Sequence, residues 1–376
     1  MNMAALPQPR PGVLDIKPYV GGESKLPGGV KPIKLSSNEG ALGPSPMAVA
    51  AMRDAALSMH RYPDGGAADL RDAIGTVQGL DPERISVGAG SDELIALLCQ
   101  GYLGVGDNIV QSAHGFLMYS IYAKARGAET LFAPETADLR TDVDAMLDQV
   151  NERTRIVFVA NPNNPTGTHI PPEEIKRLRA GLRDDIILVL DAAYAEFVER
   201  NDYESGVSLV DEAPNTVMLR TFSKIYGLGG ARVGWCYASA HVVDVLNRVR
   251  GPFNTAAPAQ AAAAAAMRDI AFTDLCRSHN SYWLTKTRDA LQALGLNPTD
   301  SVCNFAVPRF DPDGPFSAAG ADAFLRARGL ITRRIGGYGL PNALRISIGR
   351  EDEMRLCLEA LTAYCAGDPA EAESLA

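Results

Sequence analysis

The sequence predicts an α/β fold: a large domain with a mostly parallel sheet sandwiched by helices, then a smaller C-terminal α/β domain. Three observations carry this. From about residue 46 to 250, short β-branched runs alternate with helix-like segments. The run Ile186-Ile187-Leu188-Val189-Leu190 is apolar on both faces, as a central parallel strand must be. Past residue 293 the alternation resumes and closes on a helix with one apolar face.

Taken in order, residues 1–44 are rich in Pro, Gly and Lys and lack a long period, so they are expected to form an extended arm. Residues 45–255 form the large domain. Its strands are expected at Arg84–Val87, Asn108–Gln111, Arg155–Val159, Ile186–Leu190, Thr216–Leu219 and Arg232–Tyr237. Helices are expected at Asp92–Tyr102, Tyr119–Arg126, Pro172–Leu182 and Ala240–Arg250. Residues 256–376 form the small domain, with the arm packing near it. It opens on one alanine-rich helix over about 258–293, ended by Gly295. A strand (Val302–Val307), a helix (Ala321–Arg328), short strands (Leu330–Arg333 and Leu344–Ile348) and a final helix follow. In that helix Met354, Leu358, Leu361 and Cys365 share one face. Gly367 to Ala376 are small and polar and are expected to fray.

The chain has 376 residues, 46 % of them apolar, enough for large cores. With 36 basic and 45 acidic residues its net charge is −9. An acidic chain without a basic block is poorly suited to nucleic acid or anionic membrane. Met1–Pro11 has no apolar segment of the signal-peptide kind, and no run approaches the ~18 residues of a membrane span. The six cysteines show no CxxC spacing and read as reduced cytoplasmic thiols. The histidines are scattered without ligand spacing, so no metal is expected.

Familiar nucleotide and hydrolase signatures are missing. Gly88-Ala89-Gly90 and Gly227-Leu228-Gly229 begin like a dinucleotide fingerprint, but Glu93 and Arg232 stand where its third glycine belongs. Neither a GxxxxGK[ST] loop nor a GxSxG elbow occurs.

Four polar groups do stand at the ends of expected strands, where open α/β sheets bind ligands. They are Gly88-Ala89-Gly90-Ser91-Asp92-Glu93, Asn161-Pro162-Asn163-Asn164-Pro165-Thr166-Gly167, Asp191-Ala192-Ala193-Tyr194 and Thr221-Phe222-Ser223-Lys224, the last followed eight residues on by Arg232. Singly, each has an ordinary explanation. Asn-Pro and Pro-Thr-Gly make turns, Ser91 caps a helix, and most lysines are solvated. Their joint order on successive strand ends points to one site.

With these motifs the sequence resembles the fold type I, pyridoxal-phosphate-dependent aminotransferases of class I/II, and within them the histidinol-phosphate aminotransferases. The resemblance runs from Pro18-Tyr19-Val20 and Leu35-Ser36-Ser37-Asn38-Glu39 through Arg61-Tyr62-Pro63 to Tyr338-Gly339-Leu340-Pro341 and Leu344-Arg345-Ile346. It implies pyridoxal 5'-phosphate as cofactor, with Lys224, Asp191 and Tyr194 as catalytic residues. Lys224 matches the lysine that anchors the cofactor and moves the proton. Asp191 matches the carboxylate that keeps the pyridine nitrogen protonated. Tyr194 and Asn164 match the donors to the phenolic oxygen. Ser91, Asp92, Thr221, Ser223 and Arg232 fit the phosphate cup. Phe116, two before Met118-Tyr119, takes the place of the aromatic lid. Tyr62 matches a tyrosine that reaches the neighbouring subunit's cofactor phosphate, which implies a homodimer with shared sites.

For the substrate, the resemblance implies Arg345 as the arginine that forks onto a carboxylate or phosphate, and Arg333 as a second one of the histidinol-phosphate subgroup. Tyr19 and Asn38 match substrate contacts from the arm. Two positions depart from the pattern: Gly40-Ala41 replaces Asn-Pro, and Arg334 stands where a proline is usual. The implied reaction is transamination of L-histidinol phosphate with 2-oxoglutarate. The same machinery serves an aromatic amino-acid aminotransferase, and much of the pattern a threonine-phosphate decarboxylase. A cofactor-binding regulator without catalysis is opposed by the presence of Lys224 and the lack of an appended DNA-binding module.

Overall fold

A computed structural model describes residues 9–10, 12–19, 21–26 and 32–367. The expectations for Met1–Gln8, Pro11, Val20 and the tail 368–376 lie outside the described residues. The chain enters through β1 (Ile33–Lys34), α1 (Pro46–Ala56) and α2 (Ala68–Gln78). Ser45 caps α1 by accepting from the Ala48 N–H, and Pro46 occupies the first turn, where no N–H is missed.

The large unit then builds β2 (Ile85–Gly88), α3 (Ser91–Tyr102), β3 (Asn108–Ser112), α4 (Leu117–Ala125), β4 (Glu129–Ala133), α5 (Val143–Gln149), β5 (Thr154–Ala160), α6 (Pro172–Gly181), β6 (Ile187–Asp191), α7 (Val207–Glu212), β7 (Thr216–Thr221), β8 (Gly234–Tyr237) and α8 (Ala240–Val249). The seven strands pair in the order β2-β8-β7-β6-β5-β3-β4. All neighbours are parallel except β8, which runs antiparallel to both β7 and β2. Side chains alternate between two cores, as burial on both faces requires. Ile156, Phe158, Ile187 and Val189 face the core under α3, α4 and α8. Val157, Val159, Leu188 and Leu190 face the one under α5, α6 and α7.

The segment from 257 to 293 is two helices, α9 (Ala257–Arg268) and α10 (Ile270–Ala293), not one. Asp269 leaves helical geometry and its carboxylate accepts from the Phe272 N–H at 3.3 Å, capping the second helix. The buried alanines of α9 join the core that holds Leu70, Ile74 and Trp235.

The small unit adds β9 (Phe305–Ala306), α11 (Ala318–Ala327), β10 (Leu330–Ile331), β11 (Arg333–Arg334), β12 (Leu344–Ser347) and α12 (Glu351–Ala366). β11, β12 and β9 form an antiparallel sheet, while β1 from the arm pairs in parallel with β10. The arm thus ends as a strand of the small unit, and Leu35 sits in that unit's core. In α12, Met354, Cys357, Ala360, Leu361 and Tyr364 are buried, while Leu358 and Cys365 are half-buried. The inward face is rotated from the expected one because Tyr364 packs between Phe316 and Phe324.

Candidate active site

A cavity of about 190 Å³ opens at the carboxyl ends of the parallel strands. Its wall is drawn from four strand ends and from α4. Ser91, Asp92, Phe116, Asn164, Asp191, Tyr194, Thr221, Ser223, Lys224 and Arg232, all expected from sequence, line it.

Asp191 is the last residue of β6, registered against Ala160 and Leu219 of its neighbours. It is 6 % exposed. Oδ2 accepts from the Tyr119 hydroxyl at 2.7 Å and Oδ1 from the Ala193 N–H at 3.2 Å. Burial raises its pKa, and these two donors work against that rise. Tyr119 is itself fixed by stacking on Phe158, with centroids 4.4 Å apart. Sequence reasoning quoted Tyr119 only as a landmark beside Met118 and missed its bond to Asp191.

Lys224 follows β7, with its Nζ 5.5 Å from the Tyr194 ring centre. Burial, and then the positive charge of Arg345, lower its pKa to about 8. The Tyr194 hydroxyl accepts from Asn38 Nδ2 at 2.9 Å, so its own O–H remains to be given to a ligand. Burial raises the Tyr194 pKa, which keeps that proton in place.

One end of the cavity is made for an anion. α3 starts at Gly90, whose N-cap position carries no side-chain cap, so the first-turn N–H groups face outward. A side-chain carbon on Gly90 would strike Arg232 Nη2, and one on Gly234 would strike the Ser91 main chain. Arg232 lies in the left-handed region at φ 57°, which costs a non-glycine residue about 1–3 kcal/mol. Its guanidinium bonds the Gly229 and Ala89 carbonyls at 3.0 and 3.3 Å and Ser223 Oγ at 3.4 Å. Thr221 Oγ1 accepts from the Ser223 N–H at 3.1 Å.

These groups fit pyridoxal 5'-phosphate. A buried carboxylate held by neutral donors can face a protonated ring nitrogen, a lysine stands beside it, and the hydroxyls, Arg232 and the helix start suit a phosphate.

The expected substrate residues lie beyond the lining. Asn38, at φ 55°, gives its N–H to Ser347 Oγ at 2.7 Å and takes the Ser347 hydroxyl on Oδ1 at 3.0 Å. Arg345 is 6 % exposed, bonds Ser36 O at 3.0 Å and Asn164 Oδ1, and keeps an unpartnered Nε–H. Arg333 gives Nη1 to Gly21 O at 2.8 Å, and Tyr19 is exposed. Tyr62 is not brought to this cavity. It is 83 % exposed and stacked on Phe253 at 4.6 Å.

Residues 30–361 match the family model described as aminotransferase class I and II. The chain is 62 % identical over 368 residues to the histidinol-phosphate aminotransferase of Rhodospirillum rubrum, covering 98 % of this chain and 100 % of that one. It is 57 % identical over 358 residues to that of Paramagnetospirillum magneticum, covering 95 % and 98 %. Among solved structures, the histidinol-phosphate aminotransferase from Sinorhizobium meliloti in complex with pyridoxal-5'-phosphate is similar with a TM-score of 0.88 at 28 % identity, covering 100 % of both chains. Aspartate aminotransferase from Thermus thermophilus with maleate shares the fold, with a TM-score of 0.78 at 21 % identity over 89 % of this chain and 91 % of that one.

Proposed function

The chain belongs to the class I and II aminotransferases, and from that premise we propose that it transfers the amino group of L-histidinol phosphate to 2-oxoglutarate, forming imidazole acetol phosphate and L-glutamate in histidine biosynthesis. The observation that carries the reading is the 62 % identity over nearly the whole chain to a histidinol-phosphate aminotransferase. The cofactor is pyridoxal 5'-phosphate, which when bound supplies an electron sink for the pair released at the substrate's amino carbon.

The chain's own residues then have distinct tasks. Asp191 holds a proton on the ring nitrogen. A charge pair at ~4 Å with an effective dielectric near 20 is worth about 4 kcal/mol, enough to decide that protonation state. Tyr119 keeps Asp191 oriented and ionised. Lys224 is the covalent anchor. Its Nζ, eased toward the neutral amine by burial, takes the proton from the substrate's amino carbon and returns it to the cofactor. Tyr194 and Asn164 donate to the phenolic oxygen, and Phe116 covers one ring face. Ser91, Asp92, Thr221, Ser223 and Arg232 surround the phosphate. Arg345 forks onto the phosphate of one substrate and a carboxylate of the other, with Arg333, Tyr19 and Asn38 completing the pocket.

The working unit in this reading is a cytoplasmic homodimer with shared sites. One chain alone leaves Leu57, Met59 and Tyr62 largely in water and Phe253 47 % exposed, apolar surface that a second copy would cover. Cytoplasmic placement is supported by six cysteines that are all free thiols. No described helix is long and apolar enough to cross a membrane.

The test is glutamate formation from 2-oxoglutarate by the purified holoenzyme. Formation that depends on added histidinol phosphate supports the reading. Its absence, with activity on phenylalanine or tyrosine, transfers the assignment to an aromatic amino-acid aminotransferase.

A further inference from the structure

The residues that line the cavity all come from the large unit, yet β12 of the small unit reaches it through two hydrogen bonds in series. Ser347 is the last residue of β12 and is 4 % exposed. Its hydroxyl meets Asn38 of the arm twice. Oγ accepts the Asn38 main-chain N–H at 2.7 Å and gives its own hydrogen to Asn38 Oδ1 at 3.0 Å. The other end of the amide, Nδ2, donates to the Tyr194 hydroxyl at 2.9 Å. The backbone of Asn38 is held as well. Asn304, just before β9, donates Nδ2 to Asn38 O and Glu39 O, both at 3.1 Å, and the Ser347 N–H donates to Leu35 O at 2.9 Å. Ser347, Asn38, Asn304 and Tyr194 are all buried.

An amide has one end that accepts and one that donates, and a hydroxyl has a single hydrogen. Because Ser347 gives its hydrogen to Oδ1, Asn38 is turned with Nδ2 toward Tyr194. Tyr194 therefore receives, and its own O–H stays available to a ligand. With the amide turned the other way, Oδ1 would take the Tyr194 hydrogen and the cavity would lose a donor. Hydrogen bonds in a buried chain also polarise one another, so a hydroxyl that receives gives more strongly.

We infer that Ser347 is a positioning residue: through Asn38 it fixes the direction of a hydrogen-bond chain from β12 to Tyr194, and so sets how strongly Tyr194 donates to the phenolic oxygen of the cofactor. This rests on the reading of Tyr194 as that donor. A donor favours the anionic form of the oxygen, so a stronger one lowers the pH at which the proton beside that oxygen is lost. The other titratable groups facing Tyr194 are Lys224 after β7, Asp191 of β6, Arg345 of β12 and Cys303 before β9. All four are kept in the variants below.

The experiment follows the absorbance of the pyridoxal form of the holoenzyme against pH, with no amino donor present. The chains are wild type, Ser347→Ala, Ser347→Thr, Tyr194→Phe and the double variant of Ser347→Ala with Tyr194→Phe. Tyr194→Phe loses a hydrogen bond to a charged oxygen and should raise the midpoint by about one unit. Ser347→Ala should raise it by roughly half a unit. Ser347→Thr keeps the hydroxyl and should keep the wild-type midpoint. In the double variant Ser347→Ala should add nothing to Tyr194→Phe, because no Tyr194 O–H remains to be directed. A general loosening of β12 would shift both backgrounds alike. An unmoved midpoint in Ser347→Ala, a further shift in the Tyr194→Phe background, or a Ser347→Thr midpoint that moves as Ser347→Ala does overturns the inference. Should Ser347→Ala fail to fold, Asn38→Gly, which suits the φ of 55° at that position, takes its place with the same expected shift and the same comparison in Tyr194→Phe. An unmoved midpoint in Tyr194→Phe itself overturns the reading of Tyr194 as the donor, and the inference falls with it.

Discussion

Arg333 and Arg345 are direct cross-strand partners in the antiparallel pair β11–β12. Partners in that register share a face of the sheet, and like charges so placed repel. Each arginine is steadied by the arm, Arg333 through Gly21 O and Arg345 through Ser36 O. The register concentrates two cations where one would serve a simple carboxylate, an arrangement suited to a phosphate monoester.

Arg333→Ala should therefore lower kcat/KM for histidinol phosphate by roughly ten- to a hundredfold, the loss of a charged hydrogen bond of ~1.5–3 kcal/mol. Phenylalanine, which has no phosphate, should lose far less. Steady-state kinetics on both donors check this. Equal losses would mean that Arg333 braces the arm through Gly21 and does not read the phosphate.

Asp191→Asn should keep the fold and lose well over tenfold in kcat, each factor of ten being 1.36 kcal/mol. The neutral amide cannot hold the pyridinium proton. Tyr119→Phe removes a donor that favours the ionised carboxylate, so a smaller loss of several-fold is expected. Thermal unfolding of both variants separates chemistry from folding. A loss under tenfold in Asp191→Asn would place the electron-sink role elsewhere.

Lys224 gives a pH prediction. Its pKa is lowered to about 8 by burial and by Arg345, and only the neutral amine is a nucleophile. Cofactor uptake by the stripped chain, followed by absorbance, should accelerate with pH and level off just above 8. Arg345→Gln removes a charge that lowers the pKa, so its midpoint should move upward. Lys224→Ala should lose turnover, and borohydride should no longer fix cofactor to the chain. A wild-type midpoint near the ordinary lysine value of about 10.4 would contradict the burial effect.

Mixing chains tests the shared site. In the proposed shared-site dimer, neither a Lys224→Ala dimer nor a Tyr62→Phe dimer would have a complete site, and a hybrid would hold one site with the native Lys224 of one chain and the native Tyr62 of the other. Activity should appear on mixing and rise with the hybrid fraction. Activity no greater than the sum of the parents would put Tyr62 in its own chain's site or in none.

The strand ends were legible because parallel strands buried on both faces leave continuous apolar runs, and the polar residues that follow stand out. Asp191 and Lys224 were readable for that reason. β4 was not, because this edge strand, Glu129–Ala133, is only partly buried and mixes polar with apolar residues. The break at Asp269 was signalled by an aspartate before Ile270-Ala271-Phe272, a cap overlooked inside an alanine-rich period. The bonds of Ser347 to Asn38 and of Ser36 to Arg345 each join residues 309 positions apart, and no local pattern announces such a pairing. Tyr119 lay in a quoted motif, but its bond to Asp191 arises only once β3 and β6 are brought into one sheet.

The most direct measurement of the central claim is a half-reaction panel. The purified pyridoxal form is mixed separately with histidinol phosphate, phenylalanine, tyrosine, glutamate and threonine phosphate, and conversion to the pyridoxamine form is followed by absorbance. The account predicts that histidinol phosphate converts the enzyme with a second-order rate constant well above those of phenylalanine and tyrosine, and that glutamate converts it as the partner of 2-oxoglutarate. Faster conversion by phenylalanine or tyrosine would contradict it, as would decarboxylation of threonine phosphate without conversion by histidinol phosphate.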